Sequence, residues 1–161
     1  MLRPVQVKSA RAGGGTFAIV ASSYNAHYVD AMLHAAREEL LHAGAHVRVV
    51  RVPGAFEIPA AAAKLAQRSP GRSRCAAIIC LGVIFQGETS HAQHIGWGVT
   101  HALAQIQIRD RIPVIHGVFL FEKVKHARVR CLGKKHNRGT EAAKTAMAMA
   151  RVMASLQRVD R

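Results

Sequence analysis

Aromatic rings are scarce in this chain: one Trp, two Tyr and five Phe among 161 residues. The core must therefore be built from Ala, Val, Ile, Leu and Met, and the aromatic signature of RNA-binding surfaces is missing. Acidic side chains are also few, 9 Asp plus Glu against 23 Lys plus Arg, which leaves a formal charge of +14 with ten histidines besides. Anionic partners are implied. Cysteine occurs three times, an odd count with no C-x-x-C, so neither a disulfide framework nor a zinc finger is expected. Cys75 and Cys80 are expected as buried thiols on opposite faces of one strand. No apolar run approaches the ~20 residues of a membrane span, and Met1-Leu-Arg-Pro-Val-Gln-Val-Lys8 has no signal-peptide core. The expectation is a cytoplasmic protein with no membrane partner. Without a helix-turn-helix or zinc-finger pattern, nucleic acid is not an expected partner either.

What is present fits one globular domain, with 50% hydrophobic and 20% charged residues. Residues 1–15, basic and ending Gly13-Gly14-Gly15, read as a flexible arm, and 16–161 as a single domain. Thr16–Ser22 reads as a strand. Asn25 then caps a helix with Val29, Leu33, Ala36 and Leu40 on one face, ending near Gly44. A second strand covers His46–Val52, and Pro53–Pro59 turns into an alanine-rich helix that stops before Ser69-Pro70-Gly71. Cys75–Leu81 is a continuous apolar run, as in a strand buried on both faces, and Ile95, Val99, Ala102, Leu103 and Ile106 recur at helical spacing after it. Pro113–Leu120 is a fourth strand, a short helix follows near Lys123–Arg130, and a last helix runs from about Thr140 to Leu156. This order predicts a three-layer α/β/α sandwich around a four-stranded parallel sheet, wound as in flavodoxin and covered on both faces.

The segment from Gly82 to His94, G-V-I-F-Q-G-E-T-S-H-A-Q-H, carries most of the functional information. A glycine turn between a buried strand and a helix N-terminus suits a phosphate, with Thr89 or Ser90 capping the helix or bonding the ligand. Gly82 and Gly87 have the spacing of a nucleotide-binding P-loop, but Glu88 stands where its lysine would be. A carboxylate there repels a polyphosphate, so a single phosphate held by backbone amides is the better reading. His91, in the first helical turn, is the side-chain type that ordinarily moves protons near neutral pH. The competing reading is a histidine that merely faces water. His91 and His94, at i and i+3, could pair on a metal, but no third ligand follows at convincing spacing and no metal is expected.

Ligands of such sheets bind outside the carboxyl ends of the strands. Those ends are expected to carry Ser23-Tyr24-Asn25, Gly54-Ala55-Phe56-Glu57, the Gly82–His91 turn and Ile115-His116. An aromatic ring, a carboxylate, a phosphate cradle and a histidine then meet on one edge. Tyr24 and Phe56 could instead be core aromatics, and Glu57 could simply favour its helix's first turn. Between Arg109 and Arg138, nine basic residues stand against Asp110 and Glu122. Most of them read as a solvated basic face; such a cluster could also surround a phosphorylated substrate.

P-G-A-F-E-I-P at Pro53–Pro59, G-V-I-F-Q-G-E-T-S-H at Gly82–His91, P-V-I-H-G-V at Pro113–Val118 and N-R-G-T-E-A-A at Asn137–Ala143 resemble the motifs of the lumazine synthase family, in order and spacing, from about residue 16 to 156. The resemblance implies a transferase acting at the penultimate step of riboflavin synthesis. That reaction condenses 5-amino-6-(D-ribitylamino)uracil with 3,4-dihydroxy-2-butanone 4-phosphate to 6,7-dimethyl-8-ribityllumazine, phosphate and water, with no cofactor. By correspondence, His91 carries protons, while Glu88, Thr89 and Arg130 hold the phosphate. Tyr24, Asn25, Ala55, Phe56, Glu57, Val83, Ile84, Phe85, His116 and Arg138 meet the pyrimidine and ribityl groups. The family also implies a homo-oligomer, a pentamer or a multiple of pentamers with sites shared between neighbours, and admits riboflavin synthase as a partner. Ala142, Ala143, Ala146 and Ala150 supply a close-packing face that could serve such a ring.

Three departures from the family pattern stand out. Tyr24 replaces Phe or Trp, His116 replaces an aromatic, and Ala92-Gln93-His94 replaces an aromatic-acid-aromatic run. With the high charge, they leave a weakly active or inactive shell or flavin-binding protein as the alternative function.

Overall fold

The computed structural model describes residues 15–67 and 74–159. The expected N-terminal arm, apart from Gly15, and the Ser69-Pro70-Gly71 stop lie outside the described residues. In chain order the elements are β1 (Thr16–Ser22), α1 (Ala26–His42), β2 (His46–Val52), a 3₁₀ turn (Ala55–Glu57) and α2 (Ile58–Ala66). There follow β3 (Ala77–Phe85), α3 (His91–Asp110), β4 (Val114–Phe121), α4 (Val124–Ala127), a π-helical turn (Arg128–Leu132) and α5 (Arg138–Val159). The four strands are all parallel, in the order β2-β1-β3-β4. This is the expected α/β fold, and its winding reverses between β1 and β3.

Alternation along the strands sorts the core into two halves. Phe17, Ile19 and Ala21 of β1, with Ile79, Leu81 and Val83 of β3, pack against α1 and α5. Ala18, Val20, Ile78, Cys80 and Ile84 face α2 and α3 instead. Burying β1 and β3 on both faces explains their unbroken apolar runs. β2 is an edge strand, and His46, Arg48, Val49 and Arg51 are exposed, so cover on both faces holds for the middle of the sheet and not for this edge.

Several expectations are corrected. Met32 rather than Leu33 completes the buried stripe of α1. Ile95 and Ala102 on α3 are only partly buried. Cys75 precedes β3 and is half-buried, so it does not share a strand with Cys80, which is fully buried. Desolvation pushes the Cys80 thiol up to about 12 and that of the buried Cys131 to about 11. Both stay protonated and unreactive at neutral pH.

β3 also outruns the expected end at Leu81 by four residues, and Gly82 is a strand residue rather than part of a turn. It is glycine because space is short: an added Cβ would lie 3.2 Å from Ile58 Cδ1, 3.3 Å from Val118 Cγ1 and 3.4 Å from Ser22 Oγ.

The alanine face of α5 has a partner inside the chain. Ala142, Ala143 and Ala146 are buried in the core half that contains α1. They are therefore not an unused surface awaiting a neighbour. Two devices hold the start of α5 there. The buried Asn137 accepts the Gly139 N–H on Oδ1 at 2.8 Å, as an N-cap does, and donates from Nδ2 to the Cys131 carbonyl at 2.6 Å. Gly139 lies so close to α1 that a Cβ would overlap the Met32 carbonyl. Gly139→Ala is expected to lower stability by on the order of 3 kcal/mol, because backbone must move to admit the methyl group. Denaturant titration of the two proteins measures the difference.

Candidate active site

The site is built where β1 stops and β3 continues. β1 pairs with β3 only as far as Leu81, so Gly82 to Phe85 have no strand neighbour on that side. At this point the chain turns from β1 into α1 through Asn25, which adopts a left-handed conformation (φ 55°) that asparagine tolerates better than most residues. Asn25 precedes α1 as expected, but its side chain does not cap the helix. Its amide instead donates to the Val83 carbonyl at 2.8 Å. The Ser23 N–H donates to the Val52 carbonyl at 2.8 Å and the Tyr24 N–H to that of Pro53 at 3.0 Å. Fixed on both sides, the turn leaves the Tyr24 ring in solvent, 73% exposed. Phe56, on the 3₁₀ turn beside α3, is 63% exposed. Neither is a core aromatic. The Glu57 carboxylate accepts the Gly54 N–H at 2.9 Å and so shapes the turn that presents Phe56, while Ala55 is buried beneath it.

The stretch from Gln86 to Ser90 joins β3 to α3. Ser90 precedes the helix without a side-chain cap, and Thr89 supplies a long bond instead, accepting the His91 N–H on Oγ1 at 3.4 Å. Glu88, Thr89 and His91 are exposed at the mouth of the crevice. Val83 is present through its backbone only, since its side chain is buried. Phe85 turns to the α1 side, where it meets Tyr28 edge-on at 5.5 Å. Ile84 faces α3.

The remaining candidates are elsewhere. His116 is the third residue of β4, paired with Cys80 and five residues before Phe121 ends the strand. At ~3.3 Å per residue that is roughly 17 Å from the end of β4, although Cys80, its pair, stands only two residues before Gly82, where the crevice begins. His116 touches Thr100, which with Gln93, Trp97 and Leu120 among others lines a groove of about 290 Å³ between β4 and α3. The Thr100 hydroxyl donates its one proton to the Gly96 carbonyl at 2.7 Å. It also lies 2.9 Å from His116 Nε2, a contact whose donor is set by the ring tautomer. Arg130 is exposed on the π-helical turn, on the α1 and α5 side of the sheet. Arg138 bonds Glu141 and lies 5.8 Å from the Phe119 ring centroid on the same side. Among the described residues no bond or ring contact joins His116, Arg130 or Arg138 to Tyr24, Phe56 or His91.

A larger cavity of about 510 Å³ lies at the opposite, amino edge of the sheet, between Arg74, Arg111 and Met153. It contains none of the candidate residues. The crevice at the winding reversal is the better site on topology, since parallel sheets bind ligands at their carboxyl edge. Among the described residues no three His, Cys, Asp or Glu side chains are grouped to hold a metal. No helix among them is long and apolar enough to cross a membrane.

A family model described as 6,7-dimethyl-8-ribityllumazine synthase matches residues 14–154. The chain belongs to the lumazine synthase family. It is 38% identical over 140 residues to the 6,7-dimethyl-8-ribityllumazine synthase of Xanthomonas campestris pv. campestris (strain B100), covering 85% of this chain and 88% of that protein. To the 6,7-dimethyl-8-ribityllumazine synthase of Stenotrophomonas maltophilia (strain K279a) it is 36% identical over 143 residues, covering 87% and 90%. Lumazine synthase membership accounts for the four motifs together. The structure adds residues that sequence reasoning did not single out: Gln86, Trp97, Thr100 and Asn137. Asn137 had a signal, since N-x-G opening an alanine-rich helix is a cap signature. Thr100 had none, because its meeting with His116 depends on how α3 lies across β4.

Desolvation lowers the pKa of His116 below its ordinary 6.5, and a backbone hydrogen bond offsets part of that fall. Its neutral form is favoured in the folded chain. An NMR pH titration should find the His116 ring titrating below 6.5 and uncharged at pH 7. By linkage, the stability it contributes is complete above the unfolded value and is lost as pH falls toward the folded one.

Proposed function

We propose that this protein condenses 5-amino-6-(D-ribitylamino)uracil with 3,4-dihydroxy-2-butanone 4-phosphate, releasing 6,7-dimethyl-8-ribityllumazine, phosphate and water. The observation that carries this reading is the pair of solvent-exposed rings, Tyr24 and Phe56, beside the unpaired end of β3, with the Gln86–Ser90 stretch and His91 adjoining. Exposed aromatics at a crevice suit a flat ring, and a pyrimidine is one. Tyr24 stacks on that ring, backbone groups of Val83 to Phe85 line it, and Asn25 and the Ala55-Phe56-Glu57 segment meet the ring and ribityl chain. Nothing in the site favours the weakly active shell or flavin-binding alternative.

An amine adds to the ketone, phosphate leaves, and a second amine closes the ring. Each step moves a proton, and His91 is placed to carry it. Backbone amides near Glu88 and Thr89 hold the phosphate, and the Arg130 guanidinium clamps it with two donors. No metal or organic cofactor takes part. Holding two substrates together supplies much of the rate, since effective molarity contributes ~7 to 11 kcal/mol.

Arg130, Arg138 and His116 lie away from the crevice of their own chain, so in this reading they complete the site of a neighbouring copy in a pentamer or a multiple of pentamers. Cytoplasmic location fits such an enzyme, and riboflavin synthase, which would consume its product, fits as a partner.

The purified protein should form fluorescent lumazine and release phosphate without added metal and with no sensitivity to chelator. Chelator-sensitive turnover would refute the metal-free mechanism. His91→Ala should lower kcat by ~10²- to 10⁴-fold with pyrimidine binding largely kept. Arg130→Ala should raise KM for the butanone phosphate, and an effect on the pyrimidine alone would contradict the phosphate placement. Mixing the two variants should restore some activity, and light scattering should give a multiple of five subunits. A fully active monomer would rule out shared sites.

A further inference from the structure

Gln86 binds no ligand in the reading above, yet its side chain organises the stretch that does. Its Nε2 donates to the Gly87 carbonyl at 2.9 Å and to the Thr89 carbonyl at 2.9 Å. Two carbonyl partners identify the nitrogen, because an amide oxygen in that place would face two acceptors. The Gln86 main-chain N–H donates to the Phe121 carbonyl at 2.9 Å, so the residue is pinned to the end of β4. Gly87 and Thr89 are thus drawn toward a fixed point on the sheet.

Peptide geometry turns this into a consequence for binding. In a trans peptide the C=O of one residue and the N–H of the next point in opposite directions. When the Gly87 and Thr89 carbonyls turn inward to Gln86, the N–H groups of Glu88 and Ser90 turn outward. Among the described residues neither donates to another group of the chain. Outward amides in one short turn make an anion-binding nest. The Glu88 carboxylate repels a phosphate, so the residue's useful donor there is its N–H. The Thr89 hydroxyl accepts the His91 N–H, which leaves its own proton for a ligand oxygen. The Gln86 carboxamide holds this arrangement although its Oε1 is buried with no donor. Filling space alone would not require that orphaned acceptor.

We propose that Gln86 is a positioning residue: by gathering the Gly87 and Thr89 carbonyls on one amide, it aims the Glu88 and Ser90 N–H groups at the phosphate of the butanone substrate. The proposal rests on the reading of this crevice as a phosphate-binding site and adds what sets its geometry. Gln86 touches neither substrate, so its effect is specific to the phosphorylated one.

The test uses Gln86→Met, which keeps length and removes the donors without adding charge, and Gln86→Arg, which returns N–H donors. Steady-state kinetics on the assembled protein should show Gln86→Met raising KM for the butanone phosphate by roughly 10- to 100-fold, the scale for a misplacement of about 1 Å. KM for the pyrimidine should stay within about twofold, and Gln86→Arg should recover most of the loss. Inorganic phosphate binding, followed by ³¹P line broadening, should weaken in Gln86→Met in parallel. Unchanged phosphate KM and phosphate binding in Gln86→Met would overturn the proposal, as would an equal rise in both KM values or no recovery by Gln86→Arg. If Gln86→Met fails to assemble, Gln86→Arg and wild type decide, through the butanone phosphate KM and phosphate binding. A wild type whose phosphate binding weakens in Gln86→Met but which forms no lumazine would overturn the proposed reaction and leave the positioning role of Gln86 in anion binding intact.

Discussion

The hydrogen bond from the Asn25 amide to the Val83 carbonyl fastens the turn after β1 to the part of β3 that β1 leaves unpaired. β1 ends at Ser22 and β3 continues to Phe85, so the backbone of β3 would otherwise meet water with nothing to hold the turn against it. A carbonyl at a sheet edge needs a donor, and a short side-chain amide on a left-handed residue supplies one without adding a strand. The notch therefore stays open. Tyr24 sits one residue before Asn25, its N–H is committed to the Pro53 carbonyl, and its ring stands in solvent. Phe56 reaches the same notch because Glu57 bonds back to Gly54 and tightens the turn between them.

The same sheet explains why the candidate residues of a single chain are divided. Successive residues of a strand face opposite layers. On β4, His116 faces α3 with Val114 and Val118, whereas Ile115 and Phe121 face α1 and α5. Arg130 and Arg138 come from the chain that returns over the second layer, Tyr24 and Phe56 from turns at the carboxyl edge, and His91 from the first residue of α3. Folding alone does not bring these groups together. Trp97 at 66% exposure and Ile108 at 76% leave α3 with large apolar side chains in solvent. A helix beside an edge strand with such a surface is suited to contact between copies, and the alanine face of α5, already packed on α1, is not.

How much was legible follows from which contacts are local. The limits of β1 and β2 agree with the sequence reading because apolar runs end there in Ser-Tyr-Asn and Pro-Gly, strong turn signals. Gly82 carried the same signal and misled, since its glycine answers the side chains of Ile58, Val118 and Ser22 on three other elements. His116 was assigned to the strand's end although the expected strand, Pro113–Leu120, already runs four residues past it; the observed β4, ending at Phe121, puts it five residues short. Asn25 was expected to cap a helix, the local use of its side chain, and instead reaches 58 residues along the chain. The exposure of the candidate edge was readable, because Tyr24 and Phe56 stand in turns and His91 opens α3, where core packing makes no competing demand on them.

The positive charge has a definite place in this arrangement. Asp30, Asp110, Glu141 and Glu39 are each engaged by a basic partner, and Glu57 by a backbone amide. Lys123, Lys125, Arg128, Arg130, Lys134 and Lys135 have no ion pair among the described residues and are all exposed. They follow β4 at the carboxyl edge, the edge that also carries the crevice. Screening limits a single exposed charge to about 8 Å at physiological ionic strength, so a lone lysine would matter little to a ligand in solution. Six close together act as a field. Such a field raises the local concentration of anions and speeds their arrival without adding much to the affinity of the final complex. Recognition then falls to the short, directed donors of the Gln86–Ser90 stretch, which act only at contact. On the proposed reading, the basic face draws phosphates to the edge and the turn decides how one is held.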